Sequence, residues 1–340
     1  MTTPPLRTPD RRSDGTPAPA SDRRGTPHRP RAAGPGSARR VLRALAVVSC
    51  VPYLGLKAAW IAGSRVGIPD GSVLLEDRAL MAAVNGVTVL MDGAVIVLAL
   101  LLTQGWGLRV RAWLLALPMW AATGLLAPIM VGFPVQILSR GGSAPVPKEP
   151  FLDEWVFGVV YSGFIVQGLT LGALFALYAR DRWGRVWRAP AAGPAGPWAR
   201  IVAVVASVPL AALCAVHLMW ATGSTAGLPA RRIAERSSDF HALEGVRALF
   251  AVVAVAGVLA LVYGAGRSRS RAPKVPLVAA WVGSGAVGCW GGYLLLTLLM
   301  PMDDPSNAPT ALMALTYAGE MITGILLACC LAACLRRRAA

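Results

Sequence analysis

Eight long apolar runs separated by short polar joints dominate the chain. They span approximately 42–62, 83–104, 112–133, 155–179, 200–222, 245–264, 275–299 and 310–334. Each holds about 20 residues or more, enough at about 1.5 Å per residue to cross about 30 Å of hydrocarbon as a helix. The pattern predicts an all-α integral membrane fold. Before the first run, residues 1–41 are rich in Pro, Arg, Ser, Thr and Gly and almost without large apolar side chains. Such a segment cannot bury enough surface to fold alone, so it reads as a disordered basic tail.

Two stretches of the pattern match each other about 160 residues apart. Trp60-Ile61-Ala62-Gly63-Ser64-Arg65-Val66-Gly67-Ile68-Pro69 and Trp220-Ala221-Thr222-Gly223-Ser224-Thr225-Ala226-Gly227-Leu228-Pro229 share W-x-x-G-S-x-x-G-[IL]-P. Further matches follow in the same order: Asn85-Gly86-Val87 with Glu244-Gly245-Val246, Trp120 and Gly124 with Trp281 and Gly285, and Tyr161, Gly163 and Gly168 with Tyr317, Gly319 and Gly324. A kept order with a small drift in offset is the mark of an internal repeat. The expectation is two tandem four-helix halves, 42–179 and 200–335, joined by a linker at 180–199 and followed by a basic end at 336–340. An even number of helices per half gives both halves one orientation, related by a pseudo-twofold axis along the membrane normal. The W-x-x-G-S segment preceded by Lys57 or His217 resembles segments of uncharacterised multi-pass membrane proteins of actinobacteria. That resemblance implies a membrane fold and carries over no activity.

Composition agrees with a membrane class: 55% hydrophobic and 15% charged residues, against about a quarter charged in soluble domains. The net charge of +16 does not point to nucleic acid, because the arginines gather in the tail and in alternate joints. Arg109 and Arg111, then Arg180, Arg182, Arg185 and Arg188, then Arg267, Arg269, Arg271 and Lys274, then Arg336 to Arg338 mark one side. The excess of basic residues places that side, and both termini, in the cytoplasm of a cell membrane. The opposite joints carry Asp70, Glu76 and Asp77, then Lys148, Glu149, Asp153 and Glu154, then Asp303 and Asp304. Between the fifth and sixth runs, Arg231, Arg232, Arg236 and Arg247 are read as loop residues competing with Glu235, Asp239 and Glu244. Arg-cluster contact with anionic headgroups is a further expectation for the tail. The six cysteines, all within apolar runs, read as small packing residues.

Ionisable side chains inside hydrocarbon are the places to look for function. Lys57, Asp92, His217 and Glu320 qualify. Lys57 and His217 hold equivalent positions, three residues before Trp60 and Trp220. Asp92 lies midway along the second run on a stripe with Asn85 and Thr88, and Glu320 midway along the eighth with Tyr317 and Gly324. The acids are not duplicated, since Ala251 and Phe164 stand at the equivalent places. Counting from the outer ends puts Lys57 and Asp92 about 5 Å apart in depth, so Lys57–Asp92 and His217–Glu320 pairs are both feasible. A purely structural role also fits: Lys57 snorkelling to headgroups, His217 bonded to a neighbouring helix, and acids fixing register. Lysine and histidine can release a proton where arginine cannot, which favours proton-linked work.

Pro118, Pro128 and Pro134 in the third run and Gly283, Gly285, Gly288, Gly291 and Gly292 in the seventh are expected to break or loosen those helices as gates, or to let helices approach closely. Two function classes follow. One is a proton- or ion-coupled transporter of a small solute using Lys57, Asp92, His217 and Glu320, with Asn85, Trp60 and Trp220 beside them. The other is a membrane-embedded enzyme on a lipid or isoprenoid, with Asp92 or Glu320 as general acid; a non-catalytic accessory subunit is the third possibility. The partner expected in every case is the lipid bilayer, with an unknown small molecule or lipid. No metal spacing such as H-E-x-x-H, Walker loop, dinucleotide glycine pattern or G-x-S-x-G is present, so no cofactor and no metal are assigned.

Overall fold

A computed structural model of the chain describes residues 36–75, 78–139, 152–184, 196–264, 274–299, 306 and 308–339. Most of the tail, the acidic joints around 76–77, 140–151 and 300–305, and the basic stretches 185–195 and 265–273 lie outside them. Among the described residues the fold is all helical: α1 (Ser37–Val48), α2 (Val51–Ile61), α3 (Arg78–Thr103), α4 (Ala112–Ser139), α5 (Glu154–Arg182), α6 (Pro197–Ala221), the short α7 (Ala230–Ala234), α8 (Ser238–Tyr263), α9 (Lys274–Leu298) and α10 (Ala311–Ala339). With α1 and α2 taken as one unit, eight helices are long and apolar enough to cross a membrane. Their outer faces carry Leu90, Leu138, Val275 and Leu315, all more than two thirds exposed. So broad an apolar surface is stable against lipid and not against water.

The helix bounds revise several expectations. Residues 37–41, assigned to the tail, already belong to α1. The first run is not one helix: it stops at Val48 and restarts at Val51, where Pro52 lacks the N–H that would continue the ladder and suits a first helical turn instead. α5 packs closely on this joint, since a Cβ on Gly163 would lie 3.1 Å from the carbonyl oxygen of Ser49. Conversely α4 runs unbroken through Pro118, Pro128 and Pro134, and α9 through its glycines. Neighbouring helices support a proline-bearing helix in such a bundle.

The α9 glycines are explained by proximity. A Cβ would lie 2.6 Å from Ala254 backbone at Gly283, and 2.6 Å from backbone of α10 at Gly291. Small residues at these crossings let the backbones touch, the usual basis of helix association in lipid. α9 thus packs along α8, α10 and α4, while α4 and α3, adjacent in sequence, barely touch. α4 leans instead on α8 and α9, and this contact joins the first four membrane helices to the last four.

At that junction the contacts are reciprocal. Trp120 Nε1 donates to Ser284 Oγ at 3.1 Å and Trp281 Nε1 donates to Thr123 Oγ1 at 2.9 Å. Between the two bonds a Cβ on Gly124 would stand 2.4 Å from the carbonyl carbon of Gly285. The two W-x-x-G-S-x-x-G segments also adopt one local geometry. The indole of Trp60 donates to Val66 O at 2.7 Å and that of Trp220 to Ala226 O at 2.9 Å. Gly63 and Gly67 have φ of 93° and 72°, Gly223 and Gly227 105° and 71°, a region glycine enters without a Cβ clash.

Candidate functional site

The polar centre of the second four helices is built from α6, α8 and α10. α6 supplies His217, fully buried, with the Trp220 ring edge-on 5.6 Å away. The two faces of the imidazole meet two carboxylates: Nδ1 lies 2.6 Å from Glu244 Oε2 on α8 and Nε2 lies 2.8 Å from Glu320 Oε1 on α10. All three side chains are at most 4% exposed. Arg247, one turn beyond Glu244, brings Nη1 to 3.7 Å from Glu244 Oε1 and lies over the Tyr317 ring at 5.5 Å. The Tyr317 hydroxyl accepts a bond from Arg232 at 3.1 Å.

This geometry fixes a proton count. A neutral imidazole has one N–H, so it can donate to one carboxylate only, and its other nitrogen would face a second carboxylate with lone pair against lone pair. Both short contacts are satisfied when the triad carries one further proton, as imidazolium or as one carboxylic acid. With that proton the triad has charge −1, and Arg247 brings the cluster to zero. Without it, a net negative charge sits in the apolar interior, where an unbalanced charge is strongly unfavourable. The cluster is therefore neutral when one proton is held among His217, Glu244 and Glu320.

The first four helices carry a different arrangement. Lys57 on α2, 3% exposed, donates to Asn85 Oδ1 on α3 at 2.9 Å and its ammonium lies 4.2 Å from the centre of the Tyr53 ring and 5.8 Å from that of Trp60. Lys57 neither snorkels outward nor pairs with Asp92. Asp92 Oδ1 accepts from Gln167 on α5 at 3.4 Å, and Gln167 also reaches Cys50 Sγ at 3.3 Å. The feasible Lys57–Asp92 pair is thus not formed, because Asn85, nearly two turns earlier on α3, intercepts the ammonium. Phe164, at the position equivalent to Glu320, packs edge-on against Tyr53 at 5.3 Å and Tyr161 at 6.4 Å.

A cavity of about 110 Å³ opens between the two sets of helices. Its wall takes Pro128, Phe133 and Gln136 from α4, Tyr161 from α5, Arg247 and Phe250 from α8, Trp290 from α9 and Glu320 from α10. Glu320 thus belongs both to the proton-holding triad and to the cavity wall. Glu320 Oε2 and Arg247 Nη1 are buried and have no hydrogen-bond partner among the described residues.

Of the residues singled out in the sequence, His217, Trp220 and Glu320 come together in one cluster, Lys57, Trp60 and Asn85 in another, and Asp92 joins Gln167. Glu244 and Arg247, expected in an outer loop, lie instead within α8, which begins seven residues before the predicted run, at Ser238. The signals were present: Ser237 and Ser238 with Asp239 make a helix start, and Glu244 answers Asn85 in the repeat. Gln167 and Tyr53 had no such marker. His241, in the same stretch, bonds Trp220 O through Nδ1 at 3.1 Å. Among the described residues no group of three or more His, Cys, Asp or Glu side chains is placed to hold a metal ion. No protein-family model matches the chain, and neither the curated proteins nor the solved structures contain a significant match.

Proposed function

We propose that this chain is a multi-pass cell-membrane transporter that couples a proton to the movement of a small solute across the membrane. The observation that carries the reading is the double membership of Glu320. The group that shares a proton with His217 also lines the cavity between the two sets of four helices, so occupancy of the cavity and protonation of the triad act on one carboxylate. Coupling requires such a shared element, biased by both ligands.

Two tandem halves related by a pseudo-twofold axis belong to the same proposal. The reciprocal Trp120–Ser284 and Trp281–Thr123 bonds support it, since a twofold contact makes residue i meet j and j meet i. The axis would pass near Gly124 and Gly285, and rocking about it would expose the cavity to either side. Cytoplasmic termini follow from the arginine-rich joints. The resemblance to actinobacterial W-x-x-G-S proteins adds no activity to this reading. Of the two general acids the enzyme reading offers, Glu320 lines the cavity and Asp92 does not.

Sealed vesicles containing the protein and a pH-sensitive dye test the proposal. Solute added to one side should drive a proton flux that Glu320→Gln and His217→Gln abolish while a protein-free vesicle shows none. A flux unchanged in both variants, or solute movement indifferent to an imposed pH gradient, would overturn it.

A further inference from the structure

The cavity also carries information about what it receives. Its wall is mostly apolar and aromatic, through Phe133, Tyr161, Phe250 and Trp290, with Gln136 and two charged side chains of opposite sign, Arg247 and Glu320, as polar exceptions. Arg247 Nη1 is buried with no acceptor at hydrogen-bonding distance among the described residues, its ion pair with Glu244 being 3.7 Å long, and Glu320 Oε2 is a buried acceptor without a donor. A buried polar atom left unpaired is unfavourable, and a guanidinium and a carboxylate lose more than neutral groups. A ligand complementary to the wall offers an acceptor to Arg247, a donor to Glu320 and a small apolar body to the rings.

Charge narrows the choice. With one proton in the triad the cluster of Arg247, Glu244, His217 and Glu320 is neutral, so a net-neutral ligand leaves it neutral. A simple amine would add an uncompensated positive charge, and a simple carboxylate an uncompensated negative one. The other titratable side chains facing the cluster are the phenols of Tyr317 on α10 and Tyr161 on α5. α9 contributes Gly291 beside Glu320 and has no charged residue after Lys274. Arg232, half-buried on α7, also acts on Glu244 and is partly screened by solvent.

We infer that the cavity is a binding site for a small zwitterion, its carboxylate on Arg247 and its ammonium on Glu320 against the aromatic faces. A guanidinium recognises a carboxylate through paired N–H donors, and an ammonium is attracted to ring faces. Size sets an upper limit. An engineered cavity of about 150 Å³ accepts benzene, with its six non-hydrogen atoms, so about 110 Å³ in a partly open cavity admits at most a ligand of that size. Alanine stands at that limit. Movement of this ligand rests on the transport proposal; its binding does not.

Isothermal calorimetry on the intact protein in lipid nanodiscs, with alanine, ethylamine and propionate, tests the inference. Alanine should bind, and each fragment alone should bind about tenfold weaker or less, having lost one charged contact. Arg247→Lys, which keeps the charge and loses the fork, should weaken alanine by about tenfold. If that variant fails to fold, Ala286→Leu supplies the second arm: it fills the cavity from α9 without touching a charge and should remove alanine binding in protein whose far-ultraviolet dichroism still shows the helical fold. No heat with alanine, equal binding of all three compounds, or alanine binding unchanged in Ala286→Leu would overturn the site. Proton-coupled flux of another solute without alanine binding would overturn this inference and leave the transport proposal standing. Alanine binding without any proton-coupled flux would do the reverse.

Discussion

Replacing Gly124 by alanine places a methyl group where the two sets of helices cross. The added Cβ would lie 2.4 Å from the carbonyl carbon and oxygen of Gly285 and 2.8 Å from its Cα, all backbone atoms that no side-chain rotation can move. Ordinary van der Waals contact begins at 3.4 Å, so α4 and α9 must part by about 1.0 Å (3.4 − 2.4). Parting to that extent lengthens the flanking Trp120–Ser284 and Trp281–Thr123 bonds, now 3.1 and 2.9 Å, beyond hydrogen-bonding range. Overpacking costs about 1–3 kcal/mol, and two polar contacts in a membrane bundle, at about 0.6 kcal/mol each, add about 1. The expected loss is about 2–4 kcal/mol. Gly285→Ala is the sharper comparison, because its Cβ would meet Trp120 O at 3.0 Å and Gly124 Cα at 3.1 Å, needing shifts of only a few tenths of an ångström. It should therefore lose less. Gly93→Ala, with nothing within 4 Å, should be neutral or gain up to about 1 kcal/mol from helix propensity. Unfolding in mixed micelles, followed by the near-ultraviolet dichroism of the tryptophans at the crossing, ranks the three. Equal stability of Gly124→Ala and Gly93→Ala, or a larger loss for Gly285→Ala than for Gly124→Ala, would refute the reasoning.

Further outcomes follow from the two polar clusters and the duplicated turn. Asn85→Ala should destabilise by about 2 kcal/mol, because it removes the carbonyl that accepts from the buried Lys57 ammonium; a melting temperature equal to that of the parent protein would contradict this. Asp92→Asn should lower stability, since it leaves the buried Lys57 ammonium without the carboxylate that interacts with it electrostatically. A variant as stable as the parent protein would contradict this. Glu244→Gln alone should destabilise more than Glu244→Gln combined with Arg247→Met, because the single change takes from the Arg247 guanidinium its nearest carboxylate; a double variant no better than the single would disprove the pairing. Trp60→Phe and Trp220→Phe should each lose about 1 kcal/mol and by similar amounts, since each indole closes the same kind of turn. Widely unequal losses would show that the two turns are not energetically equivalent.

Much of the bundle was legible along the chain because its first requirement is local. Hydrocarbon thickness dictates the length of each apolar run, and a backbone without water must satisfy itself as helix. Hence the eight spans, and the buried positions of Lys57, His217, Asp92 and Glu320, follow from counting residues. Register within helices also told which residues share a face, which is why His217 and Trp220 were expected together.

Partnership was decided only by the tertiary structure. Lys57 had two polar neighbours on α3 at compatible depth, Asn85 and Asp92, and depth does not distinguish them; the rotation and tilt of α3 against α2 brings Asn85 within 2.9 Å. Glu244 and Arg247 looked like loop residues because charge is so unfavourable in hydrocarbon. Only the convergence of α6, α8 and α10, where four ionisable groups can reach neutrality together, makes their burial tolerable. The proline-rich α4 stayed whole and the first span broke instead, since helix continuity depends on what packs alongside as much as on the residue itself. The cavity has no sequence signature at all. It exists because α4 turns away from α3 toward α8 and α9, a choice made by glycine-to-glycine contact between segments 161 residues apart.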